Sequence, residues 1–230
     1  MNVDKRRLAS VDLFRDLSNA ALAKIARGAT LIELAKGEEI ALDKEPGLDF
    51  FVVLEGDVSI SIYRETGREV MGRFVEAGDY FCEISSLIGT PLVGHAVART
   101  PSLLVQIARA DFMNLLDAKP AFARRILQGV AEKAGHMALR VSEISALPVR
   151  RRIHLHLLRI AKPDCADGKS ARITSAPTQE TIASLVGTHR EAVAREMADL
   201  KRAGVLDYKR GWIQIKDVAR LQKLSDQPTI

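Results

Sequence analysis

The sequence predicts an α+β chain: an N-terminal antiparallel β jelly roll, a long helix, and a C-terminal winged helix-turn-helix. Three changes in hydrophobic period carry this expectation. From Ala29 to about Ala108 apolar residues alternate with period two, and from Leu127 to Ile144 they recur at alternating spacings of three and four. From Thr178 to Leu200 two short helical patterns flank a glycine. Prolines at 120 and 148 divide the chain into expected segments 1–119, 120–147 and 148–230, with Ala146, Leu147 and Pro148 as the hinge.

Taken in order, residues 8–27 read as one opening helix, with Ser18 a cap and Leu22, Ile25 and Ala26 its apolar face. In the period-two region Thr30, Ile32 and Leu34 alternate, Phe50 to Leu54 form a buried run, and Val58, Ile60 and Ile62 alternate again. Glycines at 37, 47, 56, 67, 72, 78, 89 and 94 punctuate short strands, as in a sandwich or jelly roll. A short helix over 111–117 precedes a long one that starts at Pro120, tolerable in a first turn. Leu127, Val130, Ala134, Met137, Val141 and Ile144 then form a heptad seam, which favours parallel pairing with a second copy of the chain. A further helix spans roughly Arg150 to Ala161, with Arg150-Arg151-Arg152 read as a solvated run, and Arg172-Ile173-Thr174 is a short strand.

Thr178 caps the next helix, whose apolar side is Ile182, Ala183, Leu185 and Val186, and Gly187 ends it. Thr188 followed by Glu191 has the spacing of a capping box. Val193, Met197 and Leu200 point inward, leaving His189, Arg190, Arg195 and Glu196 outward. Val205 to Tyr208, a turn at Lys209-Arg210-Gly211, and Trp212 to Ile215 read as a two-stranded wing. Such a unit places its second helix in the DNA major groove and a basic turn beside the phosphates.

Composition agrees. The net charge of +5 is uneven: residues 149–230 hold 16 Lys plus Arg against 9 Asp plus Glu, or +7, while the rest carries −2. A basic C-terminal third on a faintly acidic body suits binding to double-stranded DNA. No apolar run reaches about 18 residues and the N-terminus lacks an apolar signal core, so a cytoplasmic chain without membrane attachment is expected. Cys82 and Cys165 are too far apart in sequence to suggest a disulfide framework or a metal cluster. His154 and His156, two apart on a helix, cannot chelate together.

The order of these parts, and above all QETIASLVGTHREAVAREMADLKRAGVL, resembles the cyclic AMP receptor protein/FNR family of bacterial transcription regulators, over nearly the whole chain. The resemblance implies a homodimer working with RNA polymerase and makes Arg190, Glu191 and Arg195 the base-reading trio. Arginine pairs with guanine O6 and N7, and glutamate accepts from cytosine N4, which suits a TGTGA-like half-site. It places His189 near a phosphate or flanking base, and Thr178, Gln179, Thr188, Lys201, Lys209 and Arg210 among the DNA contacts.

The sensor half departs further. Gly78-Asp79-Tyr80-Phe81-Cys82-Glu83-Ile84-Ser85-Ser86-Leu87 resembles the family's phosphate-binding cassette, with Glu83 as the carboxylate for a ribose hydroxyl and Cys82, Ile84 and Ser85 beside it. The arginine that neutralises the cyclic phosphate in the family should follow nine or ten residues later; that stretch reads Pro91-Leu92-Val93-Gly94-His95. His95 and Arg99 are out of register. The Thr-Ser pair that meets the adenine is replaced, counting from Pro120, by Met137-Ala138. An anionic phosphate without a cationic partner is costly to bury, so the expected effector is not ordinary cyclic AMP. Another nucleotide bound differently, an unidentified effector of an apolar pocket, and no small ligand all stay open. The N-terminal cysteines of the iron–sulfur branch are absent. Cys82 and His95 are ligand types for haem but read more simply as a core thiol and a strand histidine. A cyclic-nucleotide module acting on a protein partner is the alternative function, and it has no need of the winged helix. An enzyme finds no phosphate-cradling loop and no nucleophile–base set.

Overall fold

The computed structural model describes residues 3–43, 48–63, 69–91, 94–164, 168–174 and 176–226, and the chain divides into two units, Met1–Ala134 and Gly135–Ile230. Gly47, Gly67, Leu92, Val93 and Cys165, singled out above, lie outside the described residues, as does the side chain of Ile62.

The first unit opens with α1 (Lys5–Ala9), a 3-10 turn at Asp12–Phe14, and α2 (Asn19–Gly28). The opening helix capped by Ser18, with Leu22, Ile25 and Ala26 buried, is α2, while residues 8–17 of the stretch read with it lie in the end of α1 and the 3-10 turn. The Ser10 hydroxyl donates to the Arg7 carbonyl at the end of α1, and Ser18 restarts the helix by accepting from Ala21 N at 3.3 Å. Short hydroxyl side chains compete for backbone groups in this way, and Leu13, Phe14 and Leu17 are buried between the two caps.

Two antiparallel sheets follow. One contains β1 (Thr30–Leu34), β3 (Phe50–Glu55), β6 (Tyr80–Phe81) and β8 (Ser102–Ile107), in the order β1-β8-β3-β6. The other contains β2 (Glu39–Ala41), β4 (Asp57–Tyr63), β5 (Glu69–Glu76) and β7 (Gly94–Ala98), in the order β2-β7-β4-β5. The central strand β3 is buried on both faces, and its period of two sorts its side chains into two cores. Phe50 and Val52 join the helical layer with Phe14, Phe112, Phe122 and Ile126, whereas Phe51 and Val53 pack with Val58, Val75, Ala96 and Leu104. Each such side chain contributes about 1.5–3 kcal/mol by leaving water. Gly56 turns β3 into β4 at φ +87°, where a Cβ would collide with the Pro101 carbonyl and Ser102.

Within the cassette Tyr80–Phe81 is strand β6, but Glu83–Ile88 forms a short helix, α3, inside the period-two region. Then come α4 (Arg109–Ala118) and α5 (Pro120–Ala146), which starts at the proline as expected.

The second unit comprises the C-terminal turns of α5, α6 (Val149–Ile160), β9 (Lys162–Pro163), β10 (Ala171–Thr174), α7 (Gln179–Val186), α8 (Arg190–Arg202), β11 (Leu206–Lys209), β12 (Trp212–Ile215) and α9 (Val218–Asp226). The wing strands extend to a four-stranded sheet, β11-β12-β10-β9. Ile153, Leu157, Ile182, Val193, Met197, Leu200, Ile213 and Leu221 form its core.

The division between units falls at Ala134/Gly135, within α5 and a dozen residues before the hinge expected at Ala146–Pro148. Contacts explain it. Arg140 Nη2 donates to the Ser184 carbonyl of α7 at 3.3 Å, and Arg159 Nη2 of α6 lies 2.5 Å from Glu143 Oε1. Ala146, Leu147 and Pro148 therefore sit among elements of the second unit, with Pro148 at the N-cap of α6.

Candidate nucleic-acid interface and sensor cassette

The helix-turn-helix is set by its termini. Thr178 Oγ1 accepts from Thr181 N at 3.1 Å, starting α7, and Gly187 at φ +69° ends it. Gly187 N donates to Ser184 O at 3.4 Å and Thr188 N to Ala183 O at 2.9 Å, the paired bonds of a Schellman ending. This spends Thr188 on the first helix, so the capping box expected from Thr188 and Glu191 does not form. The N-cap of α8 is His189, with no side-chain cap. A Cβ at Gly187 would lie 3.1 Å from an Arg152 nitrogen and 3.2 Å from Ile144, so glycine is required twice over.

His189, Arg190, Glu191 and Arg195 are exposed, as are Thr178, Lys209 and Arg210, while Gln179 and Thr188 are half-buried. Among the described residues, Arg190, Arg195, Lys209 and Arg210 have no ion-pair partner. A groove of about 590 Å³ runs beside Arg190, Lys209 and Arg210, edged also by Thr178 and Gln179 and lined by Met197. Lys201 differs: its Nζ lies 2.6 Å from Asp207 Oδ1 and over the Tyr208 ring. The hydrogen bond to Asp207 raises the lysine and lowers the carboxyl from their ordinary values.

Two expectations fail here. Glu196 does not face outward; it is 7% exposed and lies against α6. Nor is Arg150-Arg151-Arg152 simply a solvated run: Arg150 stays exposed and Arg152 is buried, yet each is bonded to the protein. Arg150 meets Glu196 at 2.9 Å, Arg151 Nε donates to Ser225 O at 2.6 Å, and Arg152 donates to the carbonyls of Val186 and Gly187. Three successive helical residues point about 100° apart, so they reach three different elements. His154 and His156 are both buried; burial, then Arg159 and Arg140, pushes His156 down to about 4.

In the first unit, Cys82 is the N-cap of α3 at φ +64°, the one described non-glycine residue with positive φ. Burial pushes its thiol up to about 12, which disfavours a thiolate ligand. Glu83 is 4% exposed, and Lys133 of α5 holds it, Nζ to Oε1 at 2.8 Å, with the same ammonium 4.1 Å from the Tyr80 ring centroid. Burial lowers Lys133 from its ordinary value while Glu83 opposes the shift. Ser85 is fully buried with its hydroxyl unpartnered. Arg99 is committed to Asp57 at 2.9 Å and stacks over Phe74, and His95 Nδ1 lies 3.1 Å from Glu39, so neither is free to neutralise a phosphate. Ile84 is half-buried, whereas Met137 and Ala138 stay exposed on the helix. Among the described residues, no group of three or more His, Cys, Asp or Glu is placed to hold a metal ion.

The geometry can be set beside known proteins. Residues 31–119 match the cyclic nucleotide-binding domain model, and residues 151–224 match the Crp-like helix-turn-helix domain. A CRP-like cAMP-activated global transcriptional regulator of Mycobacterium tuberculosis is 25% identical over 210 residues, 91% of each chain. A CRP/FNR family transcriptional regulator of Thermus thermophilus superposes with TM-score 0.65 at 24% identity, covering 86% of this chain and 99% of that one. The chain belongs to the Crp/Fnr family of transcription regulators.

As a Crp/Fnr protein it carries a sensor-type β roll and a DNA-binding helix-turn-helix on one polypeptide. A cAMP-dependent protein kinase regulatory subunit of Mycosarcoma maydis is also similar, 38% identical over 84 residues, which are 36% of this chain and 16% of that one. Lys133 of α5, the partner of the cassette's Glu83, is the residue that sequence reasoning passed over. Its place four residues before Met137, on the helical face already assigned to the pocket, was the available signal. No helix among the described residues is long and apolar enough to cross a membrane.

Proposed function

We propose that this Crp/Fnr regulator works as a parallel homodimer that reads a palindromic, TGTGA-like duplex with Arg190, Glu191 and Arg195. The observation that carries the reading is that, among the described residues, the outward Arg190, Arg195, Lys209 and Arg210 have no ion-pair partner, while Arg150, Arg151 and Arg152 of α6 are bonded to groups of the same unit. Arg190 and Arg195 supply bidentate donors for guanine, and Lys209 and Arg210 on the wing, with Thr178 and Gln179, meet phosphates. His189 and Thr188 flank the leading edge, and Lys201 contributes less because Asp207 holds its charge.

Dimerisation is supported by α5, where Leu127 (69% exposed), Met137 (65%), Val141 (63%) and Ile144 (45%) are left in water along one heptad seam. Two copies joined there would present recognition helices to half-sites about 34 Å apart. Sedimentation velocity tests both parts: a dimer alone, and two chains per palindromic duplex, are expected; a monomer that binds one chain per duplex rejects the reading.

The sensor is proposed to answer to a ligand other than ordinary cyclic AMP. The cassette's cation is Lys133, held on Glu83, and no arginine stands between residues 91 and 95. Calorimetric titration with cyclic AMP is expected to show no binding below about millimolar concentration; micromolar binding would refute it. The likeness to the kinase regulatory subunit favours a second reading, a nucleotide-responsive module acting on a protein partner, but it reaches only the sensor half.

A further inference from the structure

The recognition helix α8 carries a charge where its buried stripe runs. Glu196 lies three residues after Val193 and four before Leu200, so the helical period places it with Val193, Met197 and Leu200 against the core. A lone carboxylate there would be strongly unfavourable. Two groups from α6 receive it: His154, itself 1% exposed, with Nε2 at 2.6 Å from Oε1, and the more exposed Arg150, whose Nε donates to the same Oε1 at 3.0 Å and lies 2.9 Å from Oε2. Both come from one face of α6, a turn apart, and converge on Oε1, with the Arg150 guanidinium also close to Oε2. Close apolar packing already restrains the helix, and charge-assisted hydrogen bonds from two groups on a neighbouring helix add a directional restraint on its rotation that apolar contacts lack.

Arg195 is the adjacent residue, and Arg190 lies six residues before Glu196. Any rotation of α8 swings both outward guanidiniums about the helix axis. Arg152 fixes the other end of the same geometry, because its hydrogen bonds to the Val186 and Gly187 carbonyls hold the turn between α7 and α8. We propose that Glu196, gripped by His154 and Arg150, is a positioning residue that sets the axial rotation of the recognition helix and thereby aims Arg190 and Arg195 at base edges. This rests on the base-reading role proposed above.

The test compares two duplexes, one enriched by the wild-type protein from a random pool and one shuffled to the same length. Glu196→Ala is expected to lose specific affinity by about tenfold or more and to keep non-specific affinity within about twofold, because phosphate contacts tolerate small rotations that base contacts do not. Glu196→Gln keeps acceptor oxygen and shape and is expected to recover most of that loss. If Glu196→Ala does not fold by thermal melting, Arg150→Gln, which removes one of the two grips, is expected to show a smaller loss of the same selectivity. Equal losses on both duplexes, unchanged discrimination in a folded Glu196→Ala protein, or no recovery with Glu196→Gln each overturn the positioning role. A wild-type pool without enrichment overturns base reading itself, and this inference with it.

Discussion

Two sets of cations, one on the outer face of the helix-turn-helix and one in the sensor cassette, are placed in opposite ways. On the outer face of the helix-turn-helix, Arg190, Arg195, Lys209 and Arg210 have no ion-pair partner among the described residues, and the protein holds them ready for a charge that is not its own. In the sensor cassette, Lys133 is already spent on buried Glu83. A free cation on a surface costs the fold little and serves binding; a paired, buried one holds the fold and must be released before it can serve a ligand. The contrast shows why the DNA-binding half announces its partner and the sensor half does not.

The largest expected effect is on the spent side. Lys133→Met leaves Glu83 buried and unpaired and is expected to lower unfolding free energy by about 3 kcal/mol, with Glu83→Gln restoring much of it in the double variant. Denaturant melts of the two single variants and the double measure it; additive losses would show the pair to be uncoupled. A similar size is expected from His156. Its folded pKa of about 4 lies below the ordinary 6.5, so the unfolded chain binds more protons between those values. Stability therefore falls as pH drops from about 6.5 toward 4, by about 3 kcal/mol, and contributes no slope above that window. His156→Leu is expected to flatten that limb; an unchanged slope would assign it to other groups.

On the free side the effects move to binding. Arg190→Ala is expected to leave the melting curve within about 0.5 kcal/mol of wild type while costing about 1–3 kcal/mol on the specific duplex and relaxing preference at one position. A large stability loss would mean that the guanidinium is not free. Smallest is Lys209→Ala, expected to weaken all duplexes alike and to reduce the logarithmic salt slope by about one; sequence-dependent loss would move Lys209 from phosphate to base.

Much of this was legible from residues alone, and the exceptions share one cause. Thr178 and Gly187 were readable as caps because capping depends on the residues next to them. The start of α5 at Pro120 and the wing around Gly211 were readable for the same local reason. Thr188 misled because its amide was taken by the preceding helix, a competition that spacing does not display. Glu196 misled more deeply: its helical position pointed inward, but its charge argued outward, and its partners Arg150 and His154 lie more than forty residues earlier. Lys133 finds Glu83 fifty residues away by the same kind of long-range pairing. The Ser18 cap of α2 was readable, whereas the separate α1 was not, because its end at Ser10 rests on a hydroxyl bond to the Arg7 carbonyl that an apolar pattern does not weigh.

The most direct test of the central claim is selection of duplexes from a random pool by the wild-type protein, followed by sequencing of the bound fraction. Two inverted half-sites containing G·C pairs, with centres about 10 base pairs apart, are the expected result. A bound pool indistinguishable from the starting pool, at a salt concentration where binding persists, would contradict the claim that the free arginines of α8 read bases.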